Sequence, residues 1–532
     1  MMGGNFNLNL VYHSIELKKD VCAPSKIKLK KNKHKKGFDF AINAKTLLQA
    51  RGLKHPESYG LNDEIIINDK KNGRELSIGR YSIQNAKVFF NKKTNAQLIK
   101  GTVTNLKTGL NTEYKDEYWR LVLEIDLPPH DIIYPAEVLD CYDNFLSFDN
   151  KEWDTQVTLL GIRIKTIKNY YSSIIINSKT FHFYIIEDLN ALFIDSTCKL
   201  SHTEFKRISG IIRSAFGFLT GRYYRNEAYY VSSLGKDFKK TNNVCFETEE
   251  SVINTKKEIV NPSIFRVEFD ESSKEFQEKN KKYRSNFSLA IFSKLCDEMY
   301  QHEVLHRTIE IILSAVSNNS PLQQAALYSV ALETIEKFSA TENPESTKVI
   351  KDDKTWESIR NELIKVVDNT SVNLDKEQKK FLTDKITNTN QPTNRNKLLI
   401  PFQLYKIELD KTDIKTLDSR NRFLHGESPI DINEKFEIEI IGLKIHFLIA
   451  CLILKYVGYE GHVVNIPVWH YFGNNDKVAE LMEKLNIEGL PPVSEINKMA
   501  ENGDIEGAKK ELTRLIDASQ AGAKISNPFK II

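Results

Sequence analysis

The sequence predicts an α+β protein with an antiparallel, β-rich first part and a helical second part. In the first part, apolar and polar residues alternate within short segments, which is the period of a half-buried strand. After the polar stretch at residues 236–262, apolar residues recur every three or four positions, as they do on helices. A chain of 532 residues is too long for one ordinary core, so we expect two or three domains.

The clearest predicted strand is the segment YWRLVLEIDLP at residues 118–128. Its apolar residues Trp119, Leu121 and Leu123 alternate with polar residues such as Arg120. We therefore expect one face of this strand to be buried and the other to face solvent. Short segments separated by Asn, Ser and Lys turns predict further antiparallel strands, namely TLLGIRIKTI, SSIIIN and TFHFYIIED.

Capping signals predict two helices. The capping box Ser201–Glu204 predicts a helix that closes the β-rich part and stops near Gly221. A second capping box, Ser320–Gln323, carries proline at the first helical position. It predicts a helix from Pro321 to about Phe338.

A third, strongly apolar helix is expected from about Glu434 to Val457, ending at Gly458. Its hydrophobicity approaches that of a membrane span. Lys444, His446 and Lys455 interrupt the apolar run before it reaches the roughly 18 residues that a span needs. We therefore expect a buried core helix and no membrane attachment.

The domain boundaries follow from these changes of pattern. We expect an N-terminal β-rich domain at residues 1–265, a helical domain at 266–475 and a C-terminal helical tail at 476–532. Residues 341–395 are charged, rich in Asn and Lys, and have weaker helical signals, so they are expected to form an insertion in the helical domain.

The cysteines and the N-terminal residues bear on the cellular compartment of the protein. The six cysteines are scattered singly, without the CxxC spacing of a metal knuckle or a redox dithiol. The N-terminal residues lack the charged start and apolar core of a signal peptide. Both observations favour a cytoplasmic protein with reduced thiols. The net charge of +4 is too small to indicate a nucleic-acid-binding surface by itself.

The segment RNRFLHG, residues 420–426, is the main candidate for catalytic chemistry. Asn421 and His425 lie four positions apart and share a helix face, so the amide can orient the imidazole. Arg420 is five positions from His425 and has to approach from the flank. Gly426 is expected to end the helix, which places Arg420 and His425 at an open terminus outside the packed core.

These residue types suit phosphodiester cleavage in RNA. Histidine titrates near neutral pH and can accept the 2′-hydroxyl proton or protonate the leaving 5′-oxygen. Arginine can hold the phosphoryl oxygens as they gain charge. The alternative is an ordinary helix end, in which Arg420 caps a carbonyl or pairs with Asp418 and His425 is favoured by the helix dipole.

The surroundings of the motif carry a family resemblance. The pattern R-N-x-x-x-H-G follows the expected insertion, precedes the long apolar helix and comes after ALYSVALETIE at residues 326–336. In these features the chain resembles the HEPN ribonuclease superfamily, specifically its ApeA-like branch. The segment RISGIIRSAFGFLTGRYYRNEAYY at residues 207–230 is similar to the end of the N-terminal β domain in these abortive-infection proteins. The resemblance covers about residues 10–470.

The resemblance implies an all-α HEPN helical bundle and a metal-independent endoribonuclease that needs no cofactor and leaves 2′,3′-cyclic phosphate ends. Arg420, Asn421 and His425 would be its catalytic residues. By implication the protein is a toxin of anti-phage defence that cuts cellular RNA, tRNA anticodon loops in particular, once a phage-derived trigger appears. The resemblance also implies a homodimer or higher homo-oligomer, in which a two-fold axis would bring the motif histidines of two copies together.

Glu333 is a candidate accessory residue, because some HEPN nucleases use a glutamate from a neighbouring helix. With Ser329 and Glu336 it forms a narrow polar stripe on the helix that begins at Pro321. The stripe could equally face solvent, and Glu333 could simply pair with Arg420 or Lys337.

Two other function classes remain open. The first is a zinc metalloprotease, because His302-Glu303-Val304-Leu305-His306 is an HExxH motif and Glu333 could be the third ligand. The second is a HEPN scaffold that binds a partner without catalysis. The lysine run KIKLKKNKHKK at residues 26–36 is expected to be a solvated hairpin, with RNA-backbone binding as the alternative.

Overall fold

The structure of the chain is a computed structural model. It describes residues 10–12, 14–16, 27–31, 37–44, 64–69, 74–79, 83–91, 96–103, 105–108, 116–124, 149–159, 162–186, 191–225, 227–238, 241–248, 253–254, 259, 289–316, 318, 320–427, 435–464, 467 and 529–531.

The chain divides into two units. The first comprises Met1–Asn254, Pro262–Phe269 and Asn286–Tyr300, and the second comprises Thr255–Asn261, Asp270–Ser285 and Gln301–Ile532. The predicted boundary near residue 265 lies outside the described residues. The same holds for the predicted helical tail at 476–532, except for its last residues 529–531.

The first unit is built mainly from strands. In chain order they are β1 (Leu10–Tyr12), β2 (Ser14–Glu16), β3 (Ile27–Lys31), β4 (Phe38–Ala44), β5 (Glu64–Asp69), β6 (Arg74–Gly79), β7 (Ile83–Asn91), β8 (Ala96–Val103), β9 (Asn105–Thr108), β10 (Tyr118–Glu124), β11 (Asp149–Leu159), β12 (Ile162–Ile176), β13 (Lys179–Ile186), β14 (Ala191–Ser196), β15 (Arg222–Tyr223), β16 (Glu227–Ser233), β17 (Thr241–Thr248) and β18 (Ile253–Asn254).

These strands form antiparallel sheets. One sheet has the order β1-β3-β4-β8-β7, a larger one has the order β11-β12-β13-β14-β10-β16-β17-β9-β6-β5-β2, and β15 pairs with β18. Every pairing among the described strands is antiparallel. The predicted class, α+β with an antiparallel first part and helices mainly in the second, is confirmed.

Two strand predictions need correction. The segment TLLGIRIKTI is not one strand, because β11 ends at Leu159 and pairs there with Ile162, the first residue of β12. The segment SSIIIN belongs to the second half of β12 and is not a separate strand. The predicted segment therefore joined the ends of two strands that pair with each other.

Strand β10 is buried on both faces and is not half-buried. It lies between β14 and β16 in the larger sheet. Arg120, which we expected to face solvent, is only 2% exposed and forms an ion pair with Asp195 on β14. The pairing of opposite charges allows a polar position to be buried at the centre of the sheet.

Two helices accompany these strands. Helix α1 (His202–Thr220) begins where the Ser201 hydroxyl accepts a hydrogen bond from the Glu204 amide at 3.2 Å, and it ends at Gly221 with φ 69°. Both predicted ends are confirmed. Helix α2 (Leu289–Gln301) contributes its residues up to Tyr300 to the first unit.

The second unit is mainly helical. Its elements are α3 (Glu303–Val316), α4 (Pro321–Glu342), a 3₁₀ turn (Pro344–Thr347), α5 (Asp353–Asp368), α6 (Lys376–Thr387), α7 (Asn394–Leu404), α8 (Lys411–Leu424), α9 (Lys435–Tyr456), β19 (His462–Val464) and β20 (Phe529–Ile531). The Ser320 cap of α4 is confirmed. Helix α4 continues one turn past the predicted end, to Glu342, and the Asn343 amide closes it by donating to the Ser339 carbonyl at 3.0 Å.

The core of this unit lies where α3, α8 and α9 pack against α4. Gly442 of α9 allows close approach, since a Cβ there would lie 3.2 Å from the Cβ of Ala325 on α4. Within α9, Lys444 forms an ion pair with Asp413 of α8 at 2.7 Å. The His446 ring stacks on Tyr328 with centroids 4.9 Å apart.

The predicted buried core helix is therefore confirmed for α9, and its buried Lys444 and His446 have partners in the bundle. It ends as predicted, with Gly458 at φ 80°. None of the helices in the described part of the chain is long and apolar enough to span a membrane.

Candidate functional site

Helix α8 positions the R-N-x-x-x-H motif. It begins with a reciprocal capping box between Asp410 and Asp413. Its last helical residue is Leu424, and Gly426 follows in the left-handed conformation at φ 74°. His425 lies at this open terminus and is exposed, as predicted from the glycine.

Arg420, by contrast, lies in the packed core, which corrects the expectation that it would sit at an open helix terminus. It is 6% exposed. The reason is its place on α8, because Asp413, Leu417 and Arg420 are spaced four and three residues apart and form one buried stripe. Each charged member of this stripe has an opposite charge on another helix.

The partner of Arg420 is Glu333 of α4. The Nη1 group of Arg420 donates a hydrogen bond to Oε1 of Glu333, across 87 residues of sequence. The Glu333 side chain is 33% exposed, so the ion pair lies at the edge of the core. Of the two partners we considered for Glu333, the structure selects Arg420.

The guanidinium of Arg420 is not fully used by this contact. Its Nε is buried and has no hydrogen-bond partner among the described residues. A guanidinium has five N–H donors in a planar fork that matches carboxylate and phosphate oxygens. The remaining donors can therefore bind an anionic ligand that reaches the edge of the core.

The ordinary helix-end interpretation of Arg420 is wrong in one respect. Asp418, its proposed partner, instead pairs with Arg395 through two hydrogen bonds of 2.8 Å. Both members of that pair are largely exposed.

Glu336 is the residue that sequence reasoning underrated, since we treated it only as part of a polar stripe. Burial raises the pKa of its carboxyl group, Lys397 of α7 and Arg420 of α8 act in the opposite direction, and Glu333 raises it further. The third member of the stripe, Ser329, is buried and donates to the Ala325 carbonyl at 2.8 Å. The stripe is therefore buried at Ser329 and only partly exposed at Glu333 and Glu336.

Asn421 and His425 are both exposed on the same helix end. The backbone amide of His425 donates to the Asn421 carbonyl at 3.2 Å, but within the described part of the chain no hydrogen bond joins the two side chains. No contact joins the His425 imidazole to Arg420 or Glu333 in these residues either. The structure thus brings Arg420 and Glu333 together and leaves Asn421 and His425 open to solvent one turn away.

The two histidines of the HExxH motif contact different carboxylates. His302 precedes α3, lies 3.9 Å from the Glu342 carboxylate and packs its ring on Phe338. The Nε2 atom of His306 lies 3.4 Å from Glu310 on the same helix. The residues that the structure describes contain no group of three His, Cys, Asp or Glu side chains that could bind a metal ion.

The lysine run begins in a strand. Residues Ile27–Lys31 form β3, which pairs with β4 (Phe38–Ala44) in the smaller sheet. The rest of the run lies outside the described residues.

No protein-family model, curated protein or solved structure matches the chain. The resemblance to HEPN ribonucleases stays a prediction, and the geometry of α4 and α8 is what supports a function.

Proposed function

We propose that the chain is a metal-independent endoribonuclease of the HEPN type that uses the motif at the end of α8. The observation that most supports this proposal is the buried guanidinium of Arg420. The one-third-exposed carboxylate of Glu333 holds it, and some of its N–H donors stay unused. A guanidinium held this way is preorganised for an anion, because its orientation is fixed before the anion binds.

The proposed chemistry assigns one task to each side chain. Arg420 binds the non-bridging oxygens of the scissile phosphate, and Glu333 holds the guanidinium in position. His425 accepts the proton of the 2′-hydroxyl as the 2′-oxygen forms a bond to phosphorus. The bond from phosphorus to the 5′-oxygen breaks, and that oxygen receives a proton. The products are a 2′,3′-cyclic phosphate and a 5′-hydroxyl.

One chain supplies one motif histidine, whereas this reaction uses both a base and an acid. We therefore propose a homodimer in which the second histidine comes from the other copy. A cytoplasmic location, cellular RNA with tRNA anticodon loops as the favoured substrate, and a phage-derived trigger belong to the same proposal. The substrate and the trigger depend on the family resemblance alone, whereas the location also follows from the scattered cysteines.

The test is incubation of purified full-length protein with total tRNA in the presence of EDTA. Wild-type protein is expected to produce fragments with 2′,3′-cyclic phosphate ends. The variant His425→Ala should lose cleavage by a factor of roughly 10² to 10⁴, the usual contribution of general acid–base catalysis. Because His425 is exposed, this variant should unfold at the same temperature as the wild type.

His306→Ala is the matched control, since it removes a histidine from another helix of the same unit. It should cleave RNA like the wild type. Cleavage that EDTA abolishes, or that survives unchanged in His425→Ala, would contradict the assignment. A correctly folded protein that binds RNA without cleaving it, with and without the trigger, would favour the non-catalytic scaffold.

A further inference from the structure

The smaller sheet of the first unit, in the order β1-β3-β4-β8-β7, has two unlike faces. Residues directly opposite each other in an antiparallel pair lie on the same face. Val103 of β8 is fully buried, and the register places Phe38 of β4 opposite it. Asp39, Phe89 and Lys100 are exposed, and the register places all three on the other face. One face of this sheet is therefore buried, and the other is open to solvent.

The open face carries an excess of lysines. Lys28 on β3 lies opposite Ala41 on β4, which in turn lies opposite Lys100 on β8. On the other side of β8, Lys87 of β7 lies opposite Lys100. Lys30 is two positions from Lys28 on the same strand and therefore shares its face. Neighbouring strands are about 4.8 Å apart, so the row from Lys28 to Lys87 spans about 14 Å.

The pairing of Lys87 with Lys100 is unfavourable by itself. Like charges directly opposite each other destabilise an antiparallel pair. Among the described strands of this sheet, the open face has four lysines and one carboxylate, that of Asp39, which lies opposite Lys30. A bound polyanion would supply the negative charge that this face lacks.

Phe89 adds an aromatic ring beside these cations. It is 49% exposed, and the Nζ atom of Lys100 lies 5.6 Å from the centroid of its ring. Proteins bind single-stranded nucleic acid through cations that contact the phosphates and aromatic rings on which the bases stack. A lipid head group or an acidic peptide offers negative charge but no base. The combination of lysines with an exposed ring therefore favours single-stranded nucleic acid.

We propose that this surface binds single-stranded nucleic acid, and we call it the lysine face, defined by Lys28, Lys30, Lys87, Lys100 and Phe89. The lysines contact successive phosphates, and a base stacks on the Phe89 ring. Two of the lysines belong to the lysine run at residues 26–36. The proposal concerns the first unit and stands whether or not the second unit cleaves RNA.

The experiment measures the affinity of the full-length protein for a fluorescent oligothymidylate of about 12 nucleotides by anisotropy, between about 50 and 300 mM salt. This strand lacks the 2′-hydroxyl that the proposed cleavage needs, so the outcome does not depend on cleavage. The double variant Lys87→Gln/Lys100→Gln removes two phosphate contacts. It should weaken binding on the order of tenfold and reduce the slope of log affinity against log salt by about 1.4.

Phe89→Leu tests the ring separately. It should weaken binding on the order of tenfold, because base stacking is lost. The salt slope should stay that of the wild type, since stacking releases no counterions.

Lys87→Glu separates binding from folding. A glutamate opposite Lys100 replaces a repulsive pair with an attractive one, so the unfolding temperature should rise. The affinity for the strand should nevertheless fall at least as far as in the double glutamine variant. Loss of affinity together with a lower unfolding temperature would assign Lys87 to folding and overturn its role in binding.

Two matched controls lie on α6. Lys376→Gln/Lys380→Gln removes the same charge from two exposed positions. Phe381→Leu changes an exposed ring that also has a lysine beside it, since the Nζ atom of Lys385 lies 5.4 Å from its centroid. Residues 353–387 contain seven Asp or Glu and seven Lys or Arg and so lack an excess of cations. Both controls should bind the strand within about twofold of the wild type.

Three results would overturn the proposal. The first is a wild-type protein that does not bind the strand, and the second is an equal loss of affinity in the controls and in the lysine-face variants. The third comes from vesicles that contain phosphatidylserine. If Lys87→Gln/Lys100→Gln loses vesicle binding but keeps its affinity for the strand, the lysine face binds a membrane surface and not nucleic acid.

Discussion

Two of the buried arginines, Arg120 in the β-rich unit and Arg420 in the helical unit, are held in different ways. The Nε and Nη2 groups of Arg120 donate to Asp195 at 2.6 and 2.8 Å, and Nη2 also donates to the Tyr184 hydroxyl at 3.1 Å. The Phe238 ring covers its guanidinium at 4.2 Å. Among the described residues, the guanidinium of Arg420 forms a hydrogen bond with Glu333 alone, at the edge of its core.

The difference separates a structural arginine from a candidate binding residue. Tyr184 also donates to Asp195 at 2.7 Å, so Arg120, Tyr184 and Asp195 pair with one another, and all three are buried. The Arg420 pair is incomplete, because Nε is buried without a partner among the described residues and Glu333 is one-third exposed. An incomplete pair costs stability unless something else uses the donor.

The largest expected effect on stability is at the Arg120 cluster. Asp195→Ala leaves a buried guanidinium without its counter-charge and should lower the free energy of unfolding by about 3–5 kcal/mol. Asp418→Ala is the control, since the exposed Arg395 pair should contribute less than about 1 kcal/mol. Urea unfolding of both variants measures the difference, and equal losses would show that burial does not separate the two pairs.

A smaller loss is expected at Arg420. Arg420→Met keeps the apolar stem and removes the charge, and water can then hydrate the partly exposed Glu333 carboxylate. We expect the free energy of unfolding to fall by about 1–2 kcal/mol. Urea unfolding is again the measurement. A loss as large as that of Asp195→Ala would mean that Arg420 is a structural arginine like Arg120.

The smallest effect concerns the pH dependence that Glu336 introduces. Burial raises the pKa of its carboxyl group in the folded state, which favours the protonated form. The stabilising contribution is therefore fully present below the unfolded pKa of about 4.3 and is lost as pH rises through the folded pKa. Glu336→Gln should be more stable than the wild type at neutral pH and equal to it at pH 4. A difference of the same size at both pH values would contradict this sign.

Local signals in the sequence were sufficient for the helix ends. Ser201 and Ser320 cap the starts of two helices, and Gly221, Gly426 and Gly458 follow helix ends with positive φ. These ends could be predicted because a cap depends only on residues that are neighbours in the sequence. The exposed His425 followed from the same local reasoning.

The buried ion pairs could not be predicted in this way. Arg120 and Asp195 are 75 residues apart, and Arg420 and Glu333 are 87 apart, so their pairing depends on tertiary packing. One signal was present in the sequence, since Asp413 and Arg420 occupy apolar positions of the α8 stripe. A charge at such a position requires an opposite charge on another element.

The most direct test of the proposed site measures whether the unused donors of Arg420 bind RNA. The affinity of an RNA oligonucleotide made uncleavable by 2′-O-methylation is measured by fluorescence anisotropy for wild-type protein, Arg420→Lys and Arg422→Lys. Lysine keeps the charge next to Glu333 but lacks the planar fork of donors. We predict that Arg420→Lys binds on the order of tenfold more weakly, the effect of losing charge-assisted hydrogen bonds. The exposed Arg422→Lys control should bind nearly as the wild type does. Equal affinity of all three proteins would contradict the assignment of Arg420 as the phosphate-binding residue.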